Sequence, residues 1–505
     1  MLHTISPQDM QEMERAFLSG TGYPSLLLME HAAQAVCNCL ERFAKKGDRV
    51  LFVCGGGNNG GDGCAAARIW MQRGGKADVW LLTSPSRMKG DAGENARLLN
   101  VCGAGMTILY GDAPEIPEGA AAIVDALFGT GLCRMIDGAA QALINLVNEA
   151  GKPIIAVDIP SGVDGTTGEA RAMGPILAIE TVTFHRIKQG LLLGAGPVCA
   201  GEITVQPILI PPAEDDVSDG LMLCGPGDLR RMIPSRAADC HKGDFGRVVI
   251  FAGSEGMAGA AAFCASACVK AGAGLTTILC RRSLLPVLQT LAPEAMCRAL
   301  PEENGHLLPE AARIAREALR GADAACIGCG LGQSIDNLML LRAFREAECP
   351  VVWDADALNL LARHEDLLPL SEQDVITPHP GEAARLLEQD TEDVTDAPLA
   401  ALDALHELTG CTVLLKGPRT LISDGLTTYV NRHASPALAK GGSGDVLAGI
   451  IAALLARRAL SSVECGALGA LIHGLAGIRA EKEAGENCAT PQMLVRHIRL
   501  DADML

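Results

Sequence analysis

The sequence predicts an α/β protein of two domains, each a parallel sheet with helices on both faces. Short apolar runs alternate with Ala/Leu-rich stretches along most of the chain, the pattern of strands buried on both faces and joined by helical crossovers. At about 150 residues per domain, 505 residues suffice for two or three. Aromatic residues make up only 3% against 57 glycines, a balance that disfavours a β-sandwich and suits tight strand-to-helix turns.

In chain order, strands are predicted at 50–54, 79–82, 122–125 and 154–158. The alternation breaks at QPILIPPAEDDVSDG, 206–220, where three prolines and a cluster of acids suit an exposed connector. It restarts with strands at 247–251, 276–279, 325–327, 351–353 and 413–415. The expected division is therefore 1–211, a linker at 212–224, and 225–505. No period of solenoid type is visible.

Sixty acidic and 42 basic residues leave a formal net charge of −18, which argues against nucleic-acid and membrane-surface partners. Residues 1–17 carry Asp9, Glu12 and Glu14 and have no basic region before an apolar core, so no signal peptide is expected. The longest clean apolar run, 446–456, falls well short of the ~18 residues of a membrane span. Nineteen cysteines spread over the chain read as reduced, buried apolar residues of a cytoplasmic protein. The single C-x-x-C, Cys326 and Cys329, has no second pair at zinc-ribbon spacing, so no metal is expected there.

GGGNNGGDG at 55–63 follows a predicted strand and opens a helix predicted at 64–73. Its glycines allow a sharp turn that presents N–H groups to an anion. Asn58 and Asn59 break the G-x-G-x-x-G spacing, and a tight turn capped by Asp62 explains the motif equally well. Two further loops point to a site. VDALFGTGL, 124–132, ends a strand in Asp125; VDIPSGVDG, 157–165, ends another in Asp158, with Ser161 beyond. Each acid alone is an ordinary loop cap. Ligands of an open parallel sheet sit beyond the carboxyl ends of its strands, so three polar loops there converge on one crevice.

This arrangement resembles the NAD(P)H-hydrate epimerase domain, with its paired Asn in a glycine turn, VDALFGTG and IPSG, over about residues 10–211. The resemblance implies a Rossmann-like three-layer α/β/α sandwich. It implies that Asn58, Asn59, Gly60, Gly61 and Asp62 hold the substrate with the loop Gly129, Thr130, Gly131, Leu132, Cys133, Arg134 and Met135. Asp158 would be the acid/base at the reacting carbon. Asn59, Asp125 and Ser161 would hold a monovalent cation, K⁺; oxygen-only donors suit a hard cation. Lys188 in TFHRIKQG stands where the family tends to have a lysine, and a solvated surface lysine is the other reading.

The strongest single motif is AKGGSGDVLAGIIAALLA, 439–456. Gly441, Gly442 and Gly444 leave N–H groups free before a long apolar helix, as a loop that stabilises a transferring phosphoryl group requires. Asp445 at the helix start is favoured in its ionised form and suits a base that takes a proton from a hydroxyl. A plain N-capping Asp is the alternative, but the consecutive glycines exceed what a cap needs.

The motif resembles the GxGD of the ribokinase-like superfamily. With HKGDFG at 241–246, GSEGMAGA at 253–260, WDADALN at 353–359, TPHPGEAARLL at 377–387 and KGPRT at 416–420, most of 225–500 is similar to the ADP/ATP-dependent NAD(P)H-hydrate dehydratase domain. Ser443 stands where Thr is commoner and keeps the hydroxyl. The resemblance implies a ribokinase-like α/β/α domain whose hydrate pocket is lined by Ala260, Gly332, His379 and Asp445. Lys416, Gly417, Pro418, Arg419, Thr420 and Gly444 would contact the nucleotide. Asp354 and Asp356 would orient substrate or Mg²⁺, with structural hydrogen bonding as the rival reading. His379 lies between two prolines in a strand-end loop, a place seldom used for core packing.

Together the resemblances imply an isomerase and a lyase on one chain that repair hydrated NADH and NADPH. The C-terminal domain would phosphorylate the C6 hydroxyl of the S-hydrate, Asp445 taking its proton, and the ring nitrogen would expel phosphate. The N-terminal domain would convert the R-hydrate to the S-hydrate. Implied partners are the two hydrates (NADHX and NADPHX), ADP or ATP with Mg²⁺, and a second copy of the chain, since family members often assemble. Two alternatives stay open on the residues alone. The C-terminal domain is then a small-alcohol kinase, or the N-terminal domain a non-catalytic binding module. KGPRT does not choose between ADP and ATP.

Overall fold

The computed structural model describes residues 2–109, 114–132, 134–211 and 220–500. It divides into two compact units, residues 3–221 and residues 222–500, the second including Leu2. Residues 212–219 of the expected linker lie outside the described residues.

Seven strands form the sheet of the N-terminal unit: β1 (Arg49–Cys54), β2 (Lys76–Leu81), β3 (Gly105–Ile108), β4 (Ala120–Ala126), β5 (Ile154–Val157), β6 (Glu180–Phe184) and β7 (Glu202–Gln206). All pair in parallel, in the order β3-β2-β1-β4-β5-β6-β7. Strand pleating divides the central strands between two cores. Val50, Phe52 and Cys54 enter one apolar cluster, Leu51 and Val53 the other, so β1 is buried on both faces. Strand order reverses between β1 and β4, which opens a crevice beyond their carboxyl ends.

The second unit is built on an eleven-stranded sheet. Its strands are β8 (Met222–Leu223), β9 (Arg247–Phe251), β10 (Leu275–Arg281), β11 (Met296–Leu300), β12 (Ala324–Ile327), β13 (Val351–Trp353), β14 (Val375–Ile376), β15 (Thr412–Leu415), β16 (Thr420–Ser423) and β17 (Thr428–Asn431), with a short strand that begins at Leu2 at one edge. The order from that edge is β8-β17-β16-β15-β14-β13-β12-β9-β10-β11. From β15 to β11 every pairing is parallel; β15-β16 and β16-β17 are antiparallel hairpin pairs. A second reversal, between β9 and β12, places the loops after these strands side by side.

The nine strands expected from the sequence are all present, with ends shifted by a few residues at most. Three differences stand out. The helix after β1 spans Asn58–Gln72 and starts six residues earlier than predicted, because Gly57 is its N-cap and the paired asparagines form its first turn. Asp62 is therefore inside the helix and caps nothing. The strands β3, β6, β7, β11 and β14 and the antiparallel β16-β17 hairpin lacked a readable signal, and the 222–223 end of the expected linker is strand β8.

The apolar run at 446–456 is a buried helix, Ser443–Leu455, and among the described residues no helix is long and apolar enough to cross a membrane. It lies against the Ala258–Lys270 helix so closely that a Cβ at Gly449 would stand 2.1 Å from the Cys264 carbonyl oxygen. Gly449→Ala is expected to lower the stability of the C-terminal unit by ~1–3 kcal/mol, since backbone must move to admit the methyl group. Denaturant unfolding monitored against the wild type checks this; an unchanged midpoint would contradict the packing.

Candidate active sites

In the N-terminal unit, the loops beyond β1, β4 and β5 and the Pro7–Thr21 helix enclose a cavity of about 750 Å³. Asn58, Asn59, Asp62, Gly129, Thr130, Gly131, Leu132, Arg134 and Asp158 line it. Gly60 and Gly61 do not. They sit in the wall behind, where a Cβ at Gly60 would meet the Gly55 carbonyl oxygen at 1.9 Å. Met135 is exposed and outside the lining, and Cys133 lies outside the described residues.

Asp158 follows β5 with φ +66°, a left-handed conformation that few non-glycine residues adopt. Its Oδ1 accepts a hydrogen bond from Thr183 Oγ1 at 3.0 Å and pairs with Lys188 Nζ at 2.7 Å. Lys188 is only 1% exposed and also donates to the Phe184 carbonyl at 2.8 Å. The surface-lysine reading is therefore overturned: this lysine is the buried counter-ion of Asp158. Burial, reinforced by the Asp158 and Glu14 carboxylates, pushes Asp62 well above the usual carboxylate range. Glu14 is raised by burial too, against the pull of Lys188. The cavity thus combines a lysine-paired aspartate with two carboxyl groups biased towards the protonated form.

Asp125 and Ser161 lie behind the lining. Asp125 Oδ1 accepts from Ser161 Oγ at 2.6 Å and Oδ2 from the Ser161 backbone N–H at 2.8 Å, while burial pushes this carboxyl up to about 6. Phe128 N–H donates to Ser161 Oγ at 2.9 Å, and a Cβ on the next residue, Gly129, would touch the Asn59 side chain at 3.0 Å. The three expected cation ligands are thus neighbours across one turn. Asn59 Nδ2 is buried without a hydrogen-bond partner.

In the C-terminal unit, Gly442 caps the Ser443–Leu455 helix at φ +98°, putting Asp445 in its first turn. Asp354, just after β13, is fully buried. Its Oδ1 accepts from Thr377 Oγ1 at 2.7 Å and pairs with Lys416 Nζ at 2.9 Å. Burial works to raise the Asp354 carboxyl, but Lys416 and the hydrogen bonds outweigh it and hold it below its ordinary value. Lys416 responds in kind: burial opposes its charge, and Asp354 and Glu382 hold it above the usual value. Asp445 has no such partner, and burial together with the Asp354 charge pushes it up to about 6.

Around this cluster, Gly332 N–H donates to Asp356 Oδ2 at 2.8 Å, and a Cβ at Gly330 would meet Ala260 at 2.7 Å, which sets two of the expected pocket residues, Ala260 and Gly332, beside one turn. His379 has a structural task the sequence reading passed over. Its Nδ1 accepts from Gly381 N–H at 3.0 Å and caps the Pro380–Leu387 helix, while its exposed Nε2 lies 3.4 Å from Glu382. A Cβ at Gly444 would stand 3.4 Å from Lys416 Nζ. Gly417 and Pro418 are exposed; Arg419 donates to the Arg432 carbonyl at 2.9 Å and Thr420 begins β16, and no described contact joins these two to the cluster.

Sequence reading missed Glu14 on the first helix, and His473, whose Nε2 shares a 3.1 Å hydrogen bond with Ser443 Oγ under the glycine loop. Burial pushes His473 down to about 4, so it works as a neutral imidazole. Neither has a local motif; each reaches its site through a helix distant in sequence.

Comparison with known proteins agrees with this division. A family model described as NAD(P)H-hydrate dehydratase matches residues 248–499, and one described as YjeF-related protein N-terminus matches residues 25–190. The bifunctional NAD(P)H-hydrate repair enzyme of Moorella thermoacetica is 36% identical over 96% of this chain and 94% of its own length. That of Vibrio cholerae is 34% identical over 98% of this chain and 97% of its own. A crystal structure of a ribokinase-like superfamily protein from Enterococcus faecalis V583 has 28% identity and a TM-score of 0.50, covering 58% of this chain and 99% of that one. With this likeness running through both units, the chain belongs to the family of bifunctional NAD(P)H-hydrate repair enzymes.

Proposed function

We propose that residues 1–211 form an NAD(P)H-hydrate epimerase domain, joined by 212–224 to an ADP/ATP-dependent NAD(P)H-hydrate dehydratase domain over 225–505. The observation that carries this reading is the 36% identity over 96% of the chain, which spans both sites at once. A small-alcohol kinase has no use for a first unit with a lysine-paired aspartate in a cavity. The 18 cysteines described are all free, which supports a reducing compartment, the cytoplasm.

In the epimerase, the 58–62 and 129–135 loops hold the hydrate, and Asp158 serves at C6. Asp62 and Glu14, biased towards the protonated form, are the groups that give the departing hydroxyl its proton. Lys188 fixes Asp158 for return of the oxygen to the opposite face. The buried Asp125 carboxylate, Ser161 and Asn59 form an oxygen donor set once the Asn59 amide, now with its nitrogen unpartnered, is turned over. That set fits K⁺, which would supply positive charge beside a buried carboxylate.

In the dehydratase, Asp445 takes the proton of the C6 hydroxyl as its oxygen attacks the terminal phosphoryl group of ADP or ATP. Gly441, Gly442 and Gly444 donate N–H groups to the transferring phosphoryl, with Lys416 to Thr420 on the nucleotide side. Ala260, Gly332 and His379 shape the hydrate pocket. Asp354 and Asp356 are hard oxygen donors that fit the Mg²⁺ accompanying the nucleotide, and Asp354 already anchors Lys416. The ring nitrogen lone pair then expels phosphate, and loss of a C5 proton restores the dihydronicotinamide. Homo-oligomerisation, proposed on the family resemblance, is read by light scattering.

Mixed R- and S-hydrates with Mg²⁺, K⁺ and ADP or ATP are expected to recover the full dihydronicotinamide absorbance with one donor. Asp445→Asn is expected to recover none, and Asp158→Asn to stop at the S fraction. Nucleotide turnover without hydrate would instead favour the kinase. Because Asp445 must be ionised to act, the dehydratase kcat/KM is expected to fall about tenfold per pH unit below about 6. A pH profile flat through that range would remove Asp445 from the role of base.

A further inference from the structure

The C-x-x-C of the sequence acquires a third sulfur in the fold. Cys326 lies in β12, Cys329 in the turn after it, and Cys264 faces them from the Ala258–Lys270 helix. All three are fully buried, their sulfurs lie within 4.8 Å of one another, and Cys264 and Cys326 are 3.7 Å apart. A triangle with sides of 3.7 to 4.8 Å holds its centre about 2.1–2.8 Å from each corner, which brackets the ~2.3 Å bond of a thiolate to a small soft centre. Among the described residues this is the one group of three thiols so placed.

The chemistry of the set narrows its ligand. Three sulfurs suit a soft centre; the Asp354 and Asp445 carboxylates group with Cys329 and not with all three sulfurs, so a zinc ion at the centre of the triangle has no fourth ligand among the grouped residues. The hydrogen bond with Cys326, together with burial, holds the Cys264 thiol well above its ordinary value. A ligand that left three thiolates here would strand charge in an apolar interior. Trivalent arsenic avoids this. Neutral arsenous acid, As(OH)₃, reacts with three thiols to give As(SR)₃ and three waters; each As–O bond is replaced by As–S, each thiol proton leaves in water, and no oxidation state changes. We propose that Cys264, Cys326 and Cys329 form a three-thiol site for trivalent arsenic beside the C-terminal active site.

The site also reaches the catalytic cluster. Cys329 Sγ donates to Asp354 Oδ2 at 3.7 Å, and Cys329, Asp354 and Asp445 place ligand atoms within 4.8 Å of one another. A sulfur bonded to arsenic has no proton to donate, so binding disturbs the Asp354–Lys416 pair and stops the dehydratase while the epimerase continues. This consequence rests on the function proposed above; binding itself does not.

Full-length protein, reduced with a phosphine instead of a competing thiol, is incubated with sodium arsenite and desalted. Arsenic-edge X-ray absorption is expected to show three sulfur neighbours and no oxygen, and intact-protein mass spectrometry the gain of one arsenic less three hydrogens. Two sulfurs with one oxygen, or no retained arsenic, overturns the site. Cys326→Ala and, separately, Cys264→Ala are expected to lose the three-sulfur signal with their melting transitions retained, whereas Cys54→Ala keeps it. A three-sulfur signal surviving in either folded variant also overturns the site. Arsenite is expected to abolish dehydratase activity in wild type and spare both variants; equal inhibition in all three overturns the link to catalysis. If the wild type shows no dehydratase activity before arsenite, the function fails and the spectroscopic result still decides the site.

Discussion

Both units depend on one device: an aspartate carried just beyond a strand end and paired with a lysine, with one member of each pair, Lys188 or Asp354, buried. Asp158 meets Lys188 at 2.7 Å, and Asp354 meets Lys416 at 2.9 Å. A carboxylate taken out of water without a counter-ion is costly, so the lysine is a condition of the site's existence. The pair then sets the electrostatics around it. One carboxylate in each site pairs with a lysine, and neighbouring ones without a lysine partner are pushed up by burial and by the charge of that paired aspartate: Asp62 and Glu14 in one unit, Asp445 in the other. A lysine-paired carboxylate beside carboxyl groups raised by burial is an arrangement suited to acid/base chemistry.

The sheets explain why the sites stand where they do. In each unit the strand order reverses once, between β1 and β4 or between β9 and β12, and loops leaving in opposite directions leave a crevice that cannot be filled by crossover helices. Glycines serve two purposes there. Some expose N–H groups, as Gly442 does at φ +98°. Others, such as Gly60 and Gly449, let backbone approach backbone, which draws the site helices close to the sheet or to one another.

Most of the fold was legible in the sequence because buried parallel strands are apolar on both faces and stand out against their helices. The edge strands did not stand out. β3 is half exposed, and the antiparallel β16–β17 pair is defined by its partner more than by its residues. The glycine motifs were also legible, since a positive φ or a close approach admits little else. The start of the Asn58–Gln72 helix was misplaced because paired asparagines and glycines are poor helix formers, and here tertiary packing overrides that preference.

The sequence by itself determined the class of fold, the strand-end acids and the glycine loops, because these are local: each needs only its neighbours in the chain. Only the tertiary structure decided who faces whom. Glu14 joins Asp62 and Asp158 from the first helix, Lys188 turns inward from an ordinary-looking segment, and His473 supports Ser443 from thirty residues away. Cys264 completes the triangle with Cys326 and Cys329 from another element altogether. Such pairings are set by how helices lie on a sheet, and spacing along the chain does not encode them.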